Sequence, residues 1–220
     1  MPQGRLIHGG SDFLGANGSA AVLGPDISAF GVGTETYAAT IDESGGILAL
    51  GTGATDADNA VLTTTAKFAP RDGKMVLNAR FKYDAATTLA IFCGWTETLD
   101  TTTPVMPLEF ATSTMTYNGT GGILGLSLDT GGTTLDFRAA MGDGGAAISD
   151  SSNGTRANIT TTADRWFEAT VILNEDGSGE CWLGDVGHAF SDGTLKSRLI
   201  KRFSTGTLLT TTDLFFPCLM

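Results

Sequence analysis

The side chains of this 220-residue chain that could do chemistry are few: two histidines, three cysteines, and the close carboxylate pairs Glu97 with Asp100 and Glu175 with Asp176. His8 sits in a glycine-rich leader and His188 in "DVGHAF". A His–carboxylate–nucleophile trio would therefore have to assemble through folding alone. Glycoside hydrolysis needs two carboxylates flanking the scissile bond, and on a strand such a pair is spaced by two or four residues so that both project from one face. Neither pair has that spacing, and both read as solvated turns. Calcium wants six to eight oxygens gathered by loops. Asp56, Asp58 and Asn59 form one candidate set, and Asn174, Glu175, Asp176 and Glu180 another. Neither has the twelve-residue loop closed by a bidentate Glu, and the same residue types build turns without metal. Cys93, Cys181 and Cys218 are widely spaced and odd in number. Each lies in an apolar strand context, where cysteine packs as a small hydrophobe, and a reducing compartment fits best. The expectation is a protein that is not an enzyme, with no catalytic residue, no metal and no cofactor.

Composition narrows the partners. A net charge of −11 opposes binding to nucleic acid or anionic membrane, both of which require clustered Lys and Arg. The one basic run, "LKSRLIKRF" at 195–203 with Lys196, Arg198, Lys201 and Arg202, reads as a polar strand face. No apolar stretch approaches the roughly 18 residues of a membrane span, and "MPQGRLIHGGSDF" lacks the apolar core of a signal peptide. A soluble protein not exported by that route is expected, so the sequons at 118–120, 153–155 and 158–160 carry little weight.

Thirty glycines and recurrent Thr runs mark a chain of strands and turns. Residues 1–35 scatter Leu6, Ile7, Phe13, Leu14, Leu23 and Phe30 between glycines with no period, and read as an irregular N-terminal arm whose apolar anchors dock on another surface or on the chain's own domain. Residues 36–220 read as one β-sandwich domain. "MVLNARFKY" (75–83) alternates Leu77, Ala79, Phe81 and Tyr83 against Asn78, Arg80 and Lys82, predicting one buried and one wet face. "LAIFCGW" (89–95) is almost wholly apolar, as in a strand covered on both sides. "GILGLSL" and "TLDFRAAM" bracket "DTGGT" as a hairpin with Arg138 on the polar face, and "RWFEATVIL" returns through "NEDGSG". "GGILAL" (45–50) and "NAVLTTT" (59–65) look like an edge pair. No capped helical stripe is present. The fold class is all-β: two packed antiparallel sheets in a jelly-roll, concanavalin-like sandwich.

Trp95, Trp166 and Trp182 remain. Trp166 and Trp182 fall opposite the apolar face of their strands, where they suit a second buried layer joining sheets or protomers, or a sugar-stacking platform.

Four stretches taken in order, "GGILALGTGATDADNAVL", "FKYDAATTLAIFCGWTETLD", "DRWFEATVILNEDGSGECWLGD" and "TGTLLTTTDLFFPCLM", resemble tailed-phage structural proteins with a laminin-G/concanavalin-like jelly roll. Gly94, Thr96, Glu97, Thr98, Trp166, Leu214 and Pro217 occupy that family's strand punctuation over residues 45–220. The resemblance implies a capsid decoration or cement protein on the virion surface, assembled in the host cytoplasm. It further implies a trimer bound to the major capsid protein, with no nucleic acid or membrane as partner. Leu6, Ile7, Phe13, Leu14 and Phe30 are then the expected contact residues, and deletion of 1–35 is expected to spare the sandwich. The other expectation is a glycan- or receptor-binding module of a phage tail or fibre, stacking sugars on Trp166 and Trp182.

Overall fold

The structure, a computed structural model, describes residues 27–33, 36–40, 47–52, 58–83, 89–111, 114–118, 121–129, 137–143, 149–150, 165–189, 195–204 and 209–220. Its strands in chain order are β1 (Ile27–Val32), β2 (Thr36–Thr40), β3 (Ile47–Gly51), β4 (Asn59–Thr64), β5 (Met75–Phe81), β6 (Ala90–Thr96), β7 (Leu108–Ala111) and β8 (Thr114–Tyr117). They continue with β9 (Ile123–Asp129), β10 (Arg138–Gly142), β11 (Ser149–Asp150), β12 (Phe167–Leu173), β13 (Gly179–Ala189), β14 (Leu195–Phe203) and β15 (Phe216–Leu219). Among the described residues the one helical piece is a 3-10 turn at Pro70–Asp72, opened by its proline.

Two antiparallel sheets pack as a sandwich, compatible with a jelly-roll-like fold. The larger runs β1-β4-β15-β6-β9-β10-β11 and the smaller β14-β13-β12-β5. The alternation predicted for β5 and β12 is observed. Phe167, Ala169, Val171 and Leu173 of β12 are buried, with the residues between them half-buried on the outer face. They meet Cys93 and Trp95 of β6, Leu124, Leu126 and Leu128 of β9, and Phe137, Ala139 and Met141 in and beside β10. At one end of this core Tyr83 stacks on Phe167 at 5.9 Å, and Phe137 meets the same ring at 5.2 Å. Each such ring pair contributes about 0.5–1.5 kcal/mol beyond its area.

The larger sheet is covered on its far face as well. Val61, Phe92, Leu108, Ile123, Ala140, Cys218 and Met220 form a second cluster, closed over by Leu99, Met106 and Tyr117. This explains why β6, β9 and β10 are buried at nearly every position, as the run in β6 predicted. It also overturns the polar face expected for β10: Arg138 is 2% exposed, because a second layer covers the face on which it lies. Phe92 lies over the cross-strand pair Gly94 and Gly125, and a β-carbon built on Gly125 would stand 2.6 Å from the Phe92 ring. The glycines make room for the ring.

Three pairings depart from expectation. β3 pairs with β2 and not with β4, which lies between β1 and β15. Residues 27–32, read as part of the arm, form β1 along the whole of β4. Phe30 there is half-buried and packs on the second cluster, since the alternation of a paired strand turns it inward. Residues 1–26 lie outside the described residues, as does most of the long connection at 141–164. Finally, β15 inserts between β4 and β6 despite Pro217. Proline lacks a ladder donor, and the β4 pairing is confined to Cys218 and Leu219. The Pro217 carbonyl instead accepts the Thr63 hydroxyl at 2.6 Å.

Candidate functional site

The outer face of the small sheet is where the alternation places the aromatic and charged residues that the core does not use. β5 sends Asn78 and Arg80 outward, with Lys82 just beyond its end, and β12 sends Glu168, Thr170 and Ile172. Trp166 precedes β12 on the same side. The Arg80 guanidinium stands 4.9 Å from the centre of the Trp166 ring and the Lys82 ammonium 5.4 Å. Such cation–π contacts contribute about 0.5–1 kcal/mol at exposed positions. Trp182 of β13 lies opposite Thr170, four residues along from Trp166, so the indoles are offset by about 13 Å along the strands.

Hydrogen bonds stitch the face from strand to strand. The Asn78 amide donates to Glu168 Oε1 at 3.3 Å and to the Thr170 hydroxyl at 3.2 Å. Glu180 accepts the Trp182 indole N–H at 3.0 Å through Oε2 and Arg202 Nε at 3.0 Å through Oε1. Val76 is 53% exposed beside Ile172, which leaves an apolar step at one end. The expectation that Trp166 and Trp182 join the two sheets is therefore not met. That role belongs to Trp95, 4% exposed, whose indole N–H reaches the Val171 carbonyl in the opposite sheet at 3.2 Å.

Several of the groups singled out for chemistry are held in structural roles. Glu97 accepts the Gly122 amide at 2.7 Å. Asp100 accepts the amides of Thr102 and Thr103 and the Thr103 hydroxyl, and these bonds hold its carboxyl below the ordinary range. Asp176 accepts the hydroxyl and amide of Ser178, with the same consequence. The β12–β13 turn is thereby closed, with Gly177 at φ +79° taking the left-handed position of a three-residue hairpin loop. Glu180 belongs to the sheet face, so the second calcium set is dispersed. In the first set Asp56 lies outside the described residues, and the Asn59 amide donates to the Pro104 carbonyl at 2.6 Å. Among the described residues no three His, Cys, Asp or Glu side chains are grouped to hold a metal ion.

Burial pushes the Cys93 thiol up to about 12 and raises Cys181 and Cys218 as well, so all three are neutral thiols near pH 7. His8, Leu6, Ile7, Phe13 and Leu14 lie outside the described residues, as does the side chain of His188.

Two features of this layer were not foreseen. The Arg80 and Lys82 contacts with Trp166 were legible in the alternation of β5, which sends both cations to the side of the indole. The ion pair of Arg165 with the fully buried Asp185, at 2.8 Å, had no sequence signal, because it joins residues twenty apart near the end of the hairpin. The arrangement can adhere: it offers aromatic area, paired charges and hydrogen-bonding groups on an open sheet. No family model matches the chain, and no curated protein matches it significantly.

Proposed function

We infer that this chain is an adhesive structural protein whose work is to decorate and stabilise a viral capsid shell. One observation supports the reading most directly. Glu97, Asp100, Asp176, Asp185 and the three thiols are each committed to turns, ion pairs or core, while the open sheet presents indoles and charges. The resemblance to tailed-phage jelly-roll proteins supplies the setting: the virion surface, with the major capsid protein as partner and a trimer as the assembled form. Its mechanism is mechanical. Contacts spread over a symmetric interface, repeated over many copies, raise the free energy needed to separate shell subunits.

The test is co-sedimentation with undecorated shells. Full-length protein should saturate them, and a chain lacking residues 1–26 should keep its fold and lose occupancy. The truncation stops before residue 27 because β1 is part of the larger sheet. Absence of full-length protein from purified particles, or its presence in only a few copies, would end the decoration reading.

The placement of Trp166 and Trp182, both half-buried, on one outer sheet face favours a second reading, a glycan- or receptor-binding module of a tail or fibre. A glycan array decides it: a sugar-dependent signal must be lost in Trp166→Ala or Trp182→Ala.

A further inference from the structure

The two sheets end in four edge strands, β1 and β11 in the larger and β14 and β5 in the smaller. A bare edge offers unpaired N–H and C=O groups to any other chain, and folded proteins blunt it with brevity, cations, bulges or proline. Three of the four edges are blunted in this way. β11 is two residues long. β14 carries Lys196, Arg198, Lys201 and Arg202, and its pairing with β13 shifts register twice. β5 contains Arg80 and is flanked by Lys74 and Lys82. β1 has none of these devices. Its six residues, Ile27–Val32, hold no charge and no proline, and they pair with β4 over the whole strand without a register shift. Among the described residues β4 is its one ladder neighbour. The nearest acids in sequence, Asp26 and Glu35, fall outside the strand.

From this contrast we propose that β1 is an assembly edge, and that it pairs antiparallel with β1 of a second copy of this chain about a two-fold axis. In an antiparallel strand alternate residues turn both N–H and C=O to the same side. β1 therefore bonds β4 with every other residue and presents the rest to the free edge, where an added strand completes the ladder. A second β1 matches that edge. About a two-fold axis each copy donates and accepts the same bonds, and the contact closes at two copies where a head-to-tail one would propagate. An axis normal to the sheet keeps each face of β1 on the same face of the joined sheet. With that axis at Phe30, Ser28 opposes Val32 and Ala29 opposes Gly31. The two Phe30 side chains, each half-buried on the second apolar cluster, then meet across the seam, and aromatic residues directly opposite one another stabilise a ladder. No like charges are brought together within the six residues. The pairing goes beyond the decoration reading and is a contact separate from the trimeric one of that reading.

The experiment is sedimentation equilibrium on the 220-residue chain at physiological salt, with amide hydrogen exchange of residues 27–32 followed on dilution. Two variants accompany it, Ser28→Pro and Ala29→Pro. Neighbouring residues point their N–H groups to opposite sides, so one proline falls on the free edge and leaves the β4 ladder whole, while the other breaks that ladder. Circular dichroism and a thermal melt identify the folded variant. The proposal expects wild type to form dimers and the free-edge amides of β1 to gain protection as the dimers form. It expects the folded variant to need at least about tenfold higher concentration to associate, since a symmetric pair loses two ladder bonds. If neither variant folds, exchange in the wild type decides alone. A monomeric wild type overturns the pairing, as does a folded variant that associates like wild type. Protection of β1 that is the same at every concentration also overturns it, in favour of an edge covered by the chain's own residues. A trimer whose free-edge β1 amides exchange freely overturns the pairing alone and leaves decoration standing.

Discussion

The indole N–H of Trp95 donates to the carbonyl of Val171 at 3.2 Å, a side-chain hydrogen bond that joins the inner faces of the two sheets. Trp95 also meets Phe68 edge-on, with ring centres 6.3 Å apart. It fixes both the spacing and the sliding position of β6 over β12.

Trp95→Phe should keep most of the apolar contact and lose the bond, costing about 1–2 kcal/mol, whereas Trp95→Ala should cost about 3–5 kcal/mol. Urea denaturation of the two variants measures both. Equal losses would mean that the bond contributes nothing.

Gly125→Val should destabilise the protein by about 1–3 kcal/mol, because its side chain would enter the space of the Phe92 ring, 2.6 Å from a β-carbon there. Phe92→Leu in the same chain should recover part of that loss. A double-mutant cycle reads the coupling, and strictly additive effects would show that the ring and the glycine pair are independent.

Arg165→Met should destabilise the protein by about 1–3 kcal/mol, since it removes the guanidinium that pairs with the buried Asp185 at 2.8 Å. Replacing both, Arg165→Met with Asp185→Leu, should cost less than the single change. Chemical denaturation at neutral pH compares them.

The buried thiols should make stability fall at alkaline pH. Their folded values are raised by burial, with Cys93 up to about 12, while in the unfolded chain a thiol titrates near about 8.5. Above that pH the unfolded state holds fewer protons than the folded one, so each thiol contributes a slope of up to about −1.4 kcal/mol per pH unit. Below it the contribution is fully retained. A variant with Cys93, Cys181 and Cys218 all changed to Ala should show a shallower alkaline decline between pH 8 and 10, and alkylation of the native wild type at pH 7.5 should be slow.

The small sheet was legible because one of its faces is wet. Alternation along 75–83 and 167–173 assigned inside and outside residue by residue, and it also placed Trp166 and Trp182 on the outer face. The larger sheet was legible only in outline. A run such as that of β6 announces burial on both sides without saying what covers each, so the sequence did not disclose that Leu99, Met106, Leu108 and Tyr117 close over the far face, or that Arg138 would be buried beneath it. The partner of β3 was misassigned for a related reason. Two strands separated by a turn-rich segment look like a hairpin, yet β4 has two other neighbours, β1 and the distant β15, and nothing local records a pairing across some 155 residues. The face chosen as the candidate site could be drawn from alternation. That β1 forms a bare edge depended on knowing which strand lies outermost in the larger sheet.

β15 is fifteenth in chain order and sits third among the seven strands of the larger sheet. During synthesis β4 and β6 stay apart, with unpaired edges and an unfilled core, until residues 216–219 have left the ribosome. Closing so long a loop is slow, and the nascent sandwich is exposed to stray strand pairing for that whole interval. Production of this protein should therefore respond more to slower synthesis and to holding chaperones than its short, locally paired hairpins would indicate.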